Sequence, residues 1–144
     1  MFKWTFLEYY FHRFRLHYPI MSVQQLRGHM LHHAFPNLPD NVALSPGYGV
    51  IRIALVTAFY LLFLDQLSTA MVMAGLIGSM ALYDAVHYYC HFGPEIDLWL
   101  FRFFRKQHHK HHFRNQDRDF GVTSPLWDWI LGTLSSNSPV KPIQ

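Results

Sequence analysis

The chain has few of the features that would mark a soluble or disulfide-built domain. Only 15% of its 144 residues are charged, against about 25% in typical soluble domains, so it is short of side chains that hold a surface in water. A single cysteine, Cys90, excludes an intramolecular disulfide and a zinc site built on thiolates. The formal charge is only +3. No long run of Lys or Arg occurs, and the aromatics lie in apolar stretches instead of on a basic face, which argues against nucleic acid as a partner. The amino terminus shows no cleavable signal with a small-residue cleavage site. The length suits one ordinary domain. Metal chemistry, if there is any, must fall to histidine, of which there are eleven.

What the chain has in quantity is apolar sequence: 51% hydrophobic and 17% aromatic residues. Residues 47–64 carry one charge, Arg52, and residues 67–83 carry none. At about 1.5 Å per residue these runs reach roughly 25–27 Å, close to the ~30 Å hydrocarbon core of a bilayer. Joined by Asp65 and Gln66, they read as a transmembrane hairpin, and two such segments are hard to bury within a chain this short. Ala74, Gly75, Gly78 and Ser79 would let one helix approach another closely. A hairpin returns the chain to its starting side. Arg13, Arg15, Arg27, Arg102, Arg105, Lys106, Lys110 and Arg114 flank the open side, and the closed end has no Lys or Arg. The open side is therefore expected to be cytoplasmic, and all eleven histidines lie on it.

Residues 1–18, apolar but containing Lys3, Glu8, Arg13 and Arg15, read as an interfacial helix or the emerging end of an earlier span. The stretch 26–35 has helical spacing and ends near Pro36, and a Pro-rich connection follows. The second span is expected to run on to Gly93-Pro94. Residues 95–113 read as an amphipathic helix along the interface, with Leu98, Trp99, Leu100, Phe101, Phe103 and Phe104 for lipid or core. The expected fold class is thus all-α: an integral membrane helical protein with one transmembrane hairpin and a cytosolic histidine-rich cap. Residues 1–134 form the domain, and 135–144 a loosely ordered tail.

Ten histidines fall into four clusters: His12 with His17; His29, His32 and His33; His87 with His91; and His108, His111 and His112. On a helix, positions i, i+3 and i+4 share a face, so H-x-x-H-H and H-x-x-x-H each aim at least two imidazoles at a common point. His12 and His17, five apart, share a face only if the helix loosens before Pro19. Ten nitrogens suit two metal ions with about five each, leaving one open position on each; a structural zinc closes its shell with four. Carboxylates are expected to orient the rings through their second nitrogen, with Asp84 the first candidate and Glu8 the second. Tyr83 is a candidate hydrogen-bond donor near the metals. Tyr9, Tyr10, Tyr88 and Tyr89 read as packing or interfacial anchors. His109 lies about 100° round the helix from His108 and is expected to stand outside the set.

The stretches "EYYFHRFRLH", "GHMLHHAFPNLPDNVALSP", "YDAVHYYCHFG" and "HHKHHFRNQDRDFGVTSPLWDWILGT" together resemble the fatty acid hydroxylase and sterol desaturase superfamily of membrane di-metal oxygenases. Within it, they look most like the fatty acid 2-hydroxylase branch. The resemblance implies O2-dependent hydroxylation of an acyl carbon next to a carbonyl. It implies two iron ions held by His12, His17, His29, His32, His33, His87, His91, His108, His111 and His112, with zinc a substitute on purification. It further implies a lipid acyl substrate reached from the bilayer, at a bacterial inner membrane or the endoplasmic reticulum. The chain is expected to have no cytochrome b5 module before its membrane part and to lack most of the family's first hairpin. Electrons are therefore expected from a separate donor such as cytochrome b5 or ferredoxin. Sterol, carotenoid or amino-lipid oxidation in the same superfamily remains an alternative, as does a non-catalytic histidine-rich metal protein.

Overall fold

A computed structural model describes residues 2–17, 23–39, 42 and 46–136, and among them the regular elements are all helices. The chain opens with α1, Phe2–Phe11, which turns one face inward with Glu8 and Tyr9 and leaves Phe6, Tyr10 and Phe11 exposed. It continues without a break into a π-helical segment, His12–His17. That is the loosening the five-residue histidine spacing demands, since a π turn closes on i+5 and brings both rings to one side. Pro19 itself lies outside the described residues.

Helix α2, Val23–Ala34, closes with Phe35 N–H donating to Leu31 O at 2.8 Å, just before Pro36. Helix α3, Pro46–Leu61, begins on a proline, whose missing N–H costs nothing at a first helical position. After a turn at 62–65 comes α4, Gln66–Phe92. Asp65 caps its start by accepting from Ser68 N (3.0 Å) and Ser68 Oγ (2.5 Å). Gly93 ends it, and Pro94 prevents continuation. At 27 residues α4 is long and apolar enough to cross a membrane, and only 11% of its apolar window is buried in the protein. Helices α3 and α4 pack against each other and expose Leu55, Phe59, Leu62, Leu67 and Met71.

Helix α5 is Trp99–Phe113, four residues shorter at its start than the pattern from 95 suggests. The reason is local. Arg105 spends its guanidinium on the carbonyls of Tyr89, Gly93 and Pro94, which ties down the turn between α4 and α5. A short helix unforeseen in the sequence, α6 (Leu126–Ile130), docks on α1 through a Phe6–Trp127 edge contact at 4.8 Å. The expected loose tail starts as a bonded segment. Ser135 N–H donates to Asp119 Oδ1 at 2.9 Å, and Arg114 to Ser136 O at 3.1 Å. Residues 137–144 lie outside the described part.

The interior is unusual in chemistry. The buried apolar residues described are Tyr9, Val42, Met73, Cys90, Phe120 and Val122, while eight histidines are buried beside them. The helices therefore surround imidazoles more than hydrocarbon, and the apolar side chains face outward, as they do where lipid is the solvent.

Candidate metal centre

The ten clustered histidines form two groups of five, and within each group one nitrogen per ring lies within 4.8 Å of all the others. Site A holds His12 and His17 from the π segment, His29 and His33 from α2, and His111 from α5. Site B holds His87 and His91 from α4, His108 and His112 from α5, and His32 from α2. Each H-x-x-H-H stretch thus serves both sites. Its i and i+4 rings go to one and its i+3 ring to the other, and α2 and α5 do this in opposite senses. His109 stands apart and binds Cys90 O at 3.0 Å through its ring.

The ring contacts define the shape of each group. In site A, His12, His29, His33 and His111 form a closed square with centroid separations of 4.8, 4.6, 4.8 and 4.6 Å. His17 touches all four, at 4.6 to 5.1 Å. In site B, His32, His87, His108 and His112 form the square at 4.7, 4.6, 4.5 and 4.6 Å, and His91 touches all four, at 4.6 to 5.2 Å. Across that square His32 and His108 lie 6.4 Å apart and nearly parallel, at 19°. Rings bound through one nitrogen at about 2.1 Å to a common ion would have centroids roughly 4.5 Å apart when adjacent and about 6.4 Å when opposite. Both groups therefore have the form of a square pyramid, with His17 and His91 at the apices. The direction opposite each apex carries no histidine.

The nitrogen contacts fit a cation and do not fit hydrogen bonding. His29 Nε2 lies 3.1, 2.8 and 3.0 Å from the Nε2 atoms of His12, His17 and His33. A ring nitrogen carries either one proton or one lone pair, so it cannot satisfy three such partners. Adjacent ligands of one ion at ~2.1 Å would lie about 3.0 Å apart. The outer nitrogens agree: His12 Nδ1–H donates to Phe120 O at 2.5 Å and His111 Nδ1–H to Arg118 O at 2.7 Å. That tautomer leaves an Nε2 lone pair facing the centre. Burial, reinforced by neighbouring imidazoles, pushes His12, His29, His108, His111 and His112 well below the usual histidine range. Burial brings His17 and His32 to about 4 and His33 to about 3. Neutral rings are what a divalent ion needs.

The two sites meet at His33 and His112, which stack face to face at 4.1 Å and 15°. Asp84, half-buried, makes no hydrogen bond to a histidine among the described residues, and Tyr83 touches the site only through a ring contact with His87 at 5.5 Å. Glu8 is buried but reaches no ring. It accepts from Val122 N (2.5 Å), Thr123 N (2.7 Å) and Thr123 Oγ1. Burial raises its carboxyl to about 7 despite those bonds. The ring-orienting acceptors that can be seen are main-chain carbonyls, where the sequence suggested carboxylates. Phe120, fully buried against His12, His17 and His111 at 5.4 to 5.8 Å, is another residue the spacing gave no reason to name.

Ten imidazoles gathered into two five-nitrogen groups beside a helix long and apolar enough to cross a membrane define a helical protein with two candidate histidine metal sites. Residues 1–133 match the family model described as fatty acid hydroxylase, and the chain belongs to that family. It is 33% identical to the dihydroceramide fatty acyl 2-hydroxylase FAH2 of Arabidopsis thaliana, over 91% of this chain and 56% of that protein. It is 35% identical to the fatty acid 2-hydroxylase of Mus musculus, over 93% of this chain and 38% of that one. A solved structure of full-length scs7p, in which only the hydroxylase domain is visible, superimposes with a TM-score of 0.75. That match has 26% identity over 98% of this chain and 56% of the other. The chain thus spans from about two-fifths to just over half the length of these relatives.

Proposed function

We propose that the protein is a membrane di-iron lipid hydroxylase, inserting one oxygen atom of O2 at the 2-position of a fatty acid or sphingolipid acyl group. One observation carries the reading: two adjacent five-imidazole pyramids, each with a sixth direction free of histidine. Residues 1–134 act as one domain, with His12, His17, His29, His33 and His111 holding one ion and His32, His87, His91, His108 and His112 the other. Iron in such sites supplies redox chemistry with O2; nitrogen ligands suit it, and zinc fits the same donors. The reaction balances when one C–H bond becomes C–OH, the second oxygen atom leaves as water, and a donor provides two electrons and two protons. A cytochrome b5 or a ferredoxin is a donor of the right kind, and the basic side chains of α5 would favour an acidic partner.

The chain's own residues place this chemistry at the lipid boundary. Helices α3 and α4 form the membrane hairpin. About 20 residues of α4 span the hydrocarbon, so its last turns carry His87 and His91 out to the surface. The Lys and Arg distribution supports a cytoplasmic position for this surface, at a bacterial inner membrane or the endoplasmic reticulum. Buried neutral rings keep water and protons from the ions. Tyr83, beside His87, is a candidate donor toward the substrate, and Asp84 a candidate for balancing the charge.

Expression in membranes with a reductase under 18O2, followed by lipid mass spectrometry, tests the proposal. The expected product is an acyl chain with one labelled oxygen next to its carbonyl carbon. Unlabelled lipid despite filled sites and a working donor would refute it.

A further inference from the structure

Two buried carboxylates outside both histidine groups converge on one short loop. Asp128, on α6 and 1% exposed, accepts from Phe120 N at 2.9 Å, Gly121 N at 2.7 Å and Thr133 Oγ1 at 2.7 Å. Glu8, on α1 and 5% exposed, holds the next two main-chain N–H groups, those of Val122 and Thr123. Four consecutive amides, 120–123, are thus committed to carboxylates. Gly121 is required at the centre, because a Cβ there would lie 2.0 Å from Ser124 O and 3.0 Å from Asp128 Oδ2.

The peptide joining Phe120 and Gly121 links this clamp to the metal centre. Its N–H points at Asp128, and its C=O receives the Nδ1–H of His12. A negative charge on the N–H side polarises the amide and makes its carbonyl a stronger acceptor. The His12 ring is thereby fixed in tautomer and orientation, and its Nε2 becomes a better donor to a cation. Two residues upstream, Arg118 O does the same for His111 while Thr133 O accepts from Asp119 N at 3.0 Å. Site B has no counterpart: among the described residues, Nδ1 of His32, His87, His108 and His112 meets no protein acceptor, as is also true of His33 in site A, so the support falls on His12 and His111.

We infer that Glu8 and Asp128 are positioning residues for site A alone, acting through the 118–123 main chain on His12 and His111. The inference rests on the reading of the ten histidines as ligands. By this assignment the two ions are held unequally, and the clamp sets the affinity and ligand field of one.

The test is cobalt(II) titration of the stripped full chain in detergent, read by its visible absorption, for wild type, Asp128→Asn and Glu8→Gln. The wild type should take two ions per chain. Asp128→Asn should weaken one binding step by about 10–100-fold, shift that step's spectrum and leave the other unchanged. In a His112→Ala background, with site B already broken, Asp128→Asn should weaken the one remaining strong step. A merely structural role would lower the melting temperature and weaken both steps alike. That result, or two unchanged steps, would overturn the assignment. If Asp128→Asn does not fold, Glu8→Gln gives the same reading. A wild-type chain that takes up no cobalt refutes the ligand set itself.

Discussion

Sites A and B share a geometry and differ in what supports it. In both, four imidazoles make a square and a fifth caps it. Site A draws its own pair of rings from a π-helical segment and leans on a loop, so two of its outer nitrogens are anchored by carbonyls of residues 118 and 120. Site B draws its own pair from the last turns of the long apolar helix, where His87 and His91 sit at ordinary i, i+4 spacing. Helix rigidity does for one site what a hydrogen-bonded loop does for the other. A π turn is a costly local structure, so the site built on it needs tertiary support that a 27-residue α-helix supplies by itself.

The largest expected effect comes from breaking either square. His111→Ala should empty site A and His32→Ala should empty site B. Each should cut the proposed hydroxylation by about 100-fold or more, and metal analysis should show about one ion left per chain. Equal loss of both ions in each variant would mean that the sites are one cooperative unit. The stacked pair His33 and His112 is where the sites touch. A double-mutant cycle there should show coupling of about 0.5–3 kcal/mol in metal affinity, whereas His12 with His91, one from each site, should be additive.

Acidity should act on the metal-free chain with a definite sign. His17 and His32 titrate near 4 and His33 near 3 in the fold, against 6.5 when free. Their neutral forms contribute stability that is complete above about 6.5 and is lost as the pH falls toward 4. Glu8 works the other way: with its carboxyl raised from 4.5 to about 7, the fold loses stability as the pH rises through that interval. Stripped protein should therefore melt highest near neutrality, and Glu8→Gln should steepen the 4.5–7 limb by removing its opposing slope. A melting temperature independent of pH between 4 and 7 in the wild type would contradict the buried neutral rings.

Phe120→Leu should cost about 1–1.5 kcal/mol through lost ring packing and disturb the site A spectrum but not that of site B. His109→Ala should have the smallest effect. It should lose one hydrogen bond to Cys90 O, worth about 0.5–1.5 kcal/mol, and keep both ions.

Much of this arrangement was legible in the residues. Hydropathy marked α3 and α4, and Gly93-Pro94 marked where α4 stops. The four histidine spacings gave ten rings, a division by five and the exclusion of His109. The five-residue gap between His12 and His17 required a loosened helix, and a π segment lies there. Other features were hidden because they depend on partners far along the chain. Glu8 looked like a ring acceptor from its place one turn before His12, yet its carboxylate reaches residues 122 and 123, more than a hundred positions away. Asp84 likewise stands about one turn before a histidine, His87, and reaches no ring. Position on a helix sets the direction of a side chain but not what another segment brings to it.

The sequence by itself determined how many imidazoles there are and which of them share a helical face, because face sharing follows from helix periodicity. Only the tertiary structure decided which rings gather in which group. On one helix, i and i+4 diverge from i+3 by angles that suit either of two centres. The choice is made where α2 and α5 face each other and His33 stacks on His112.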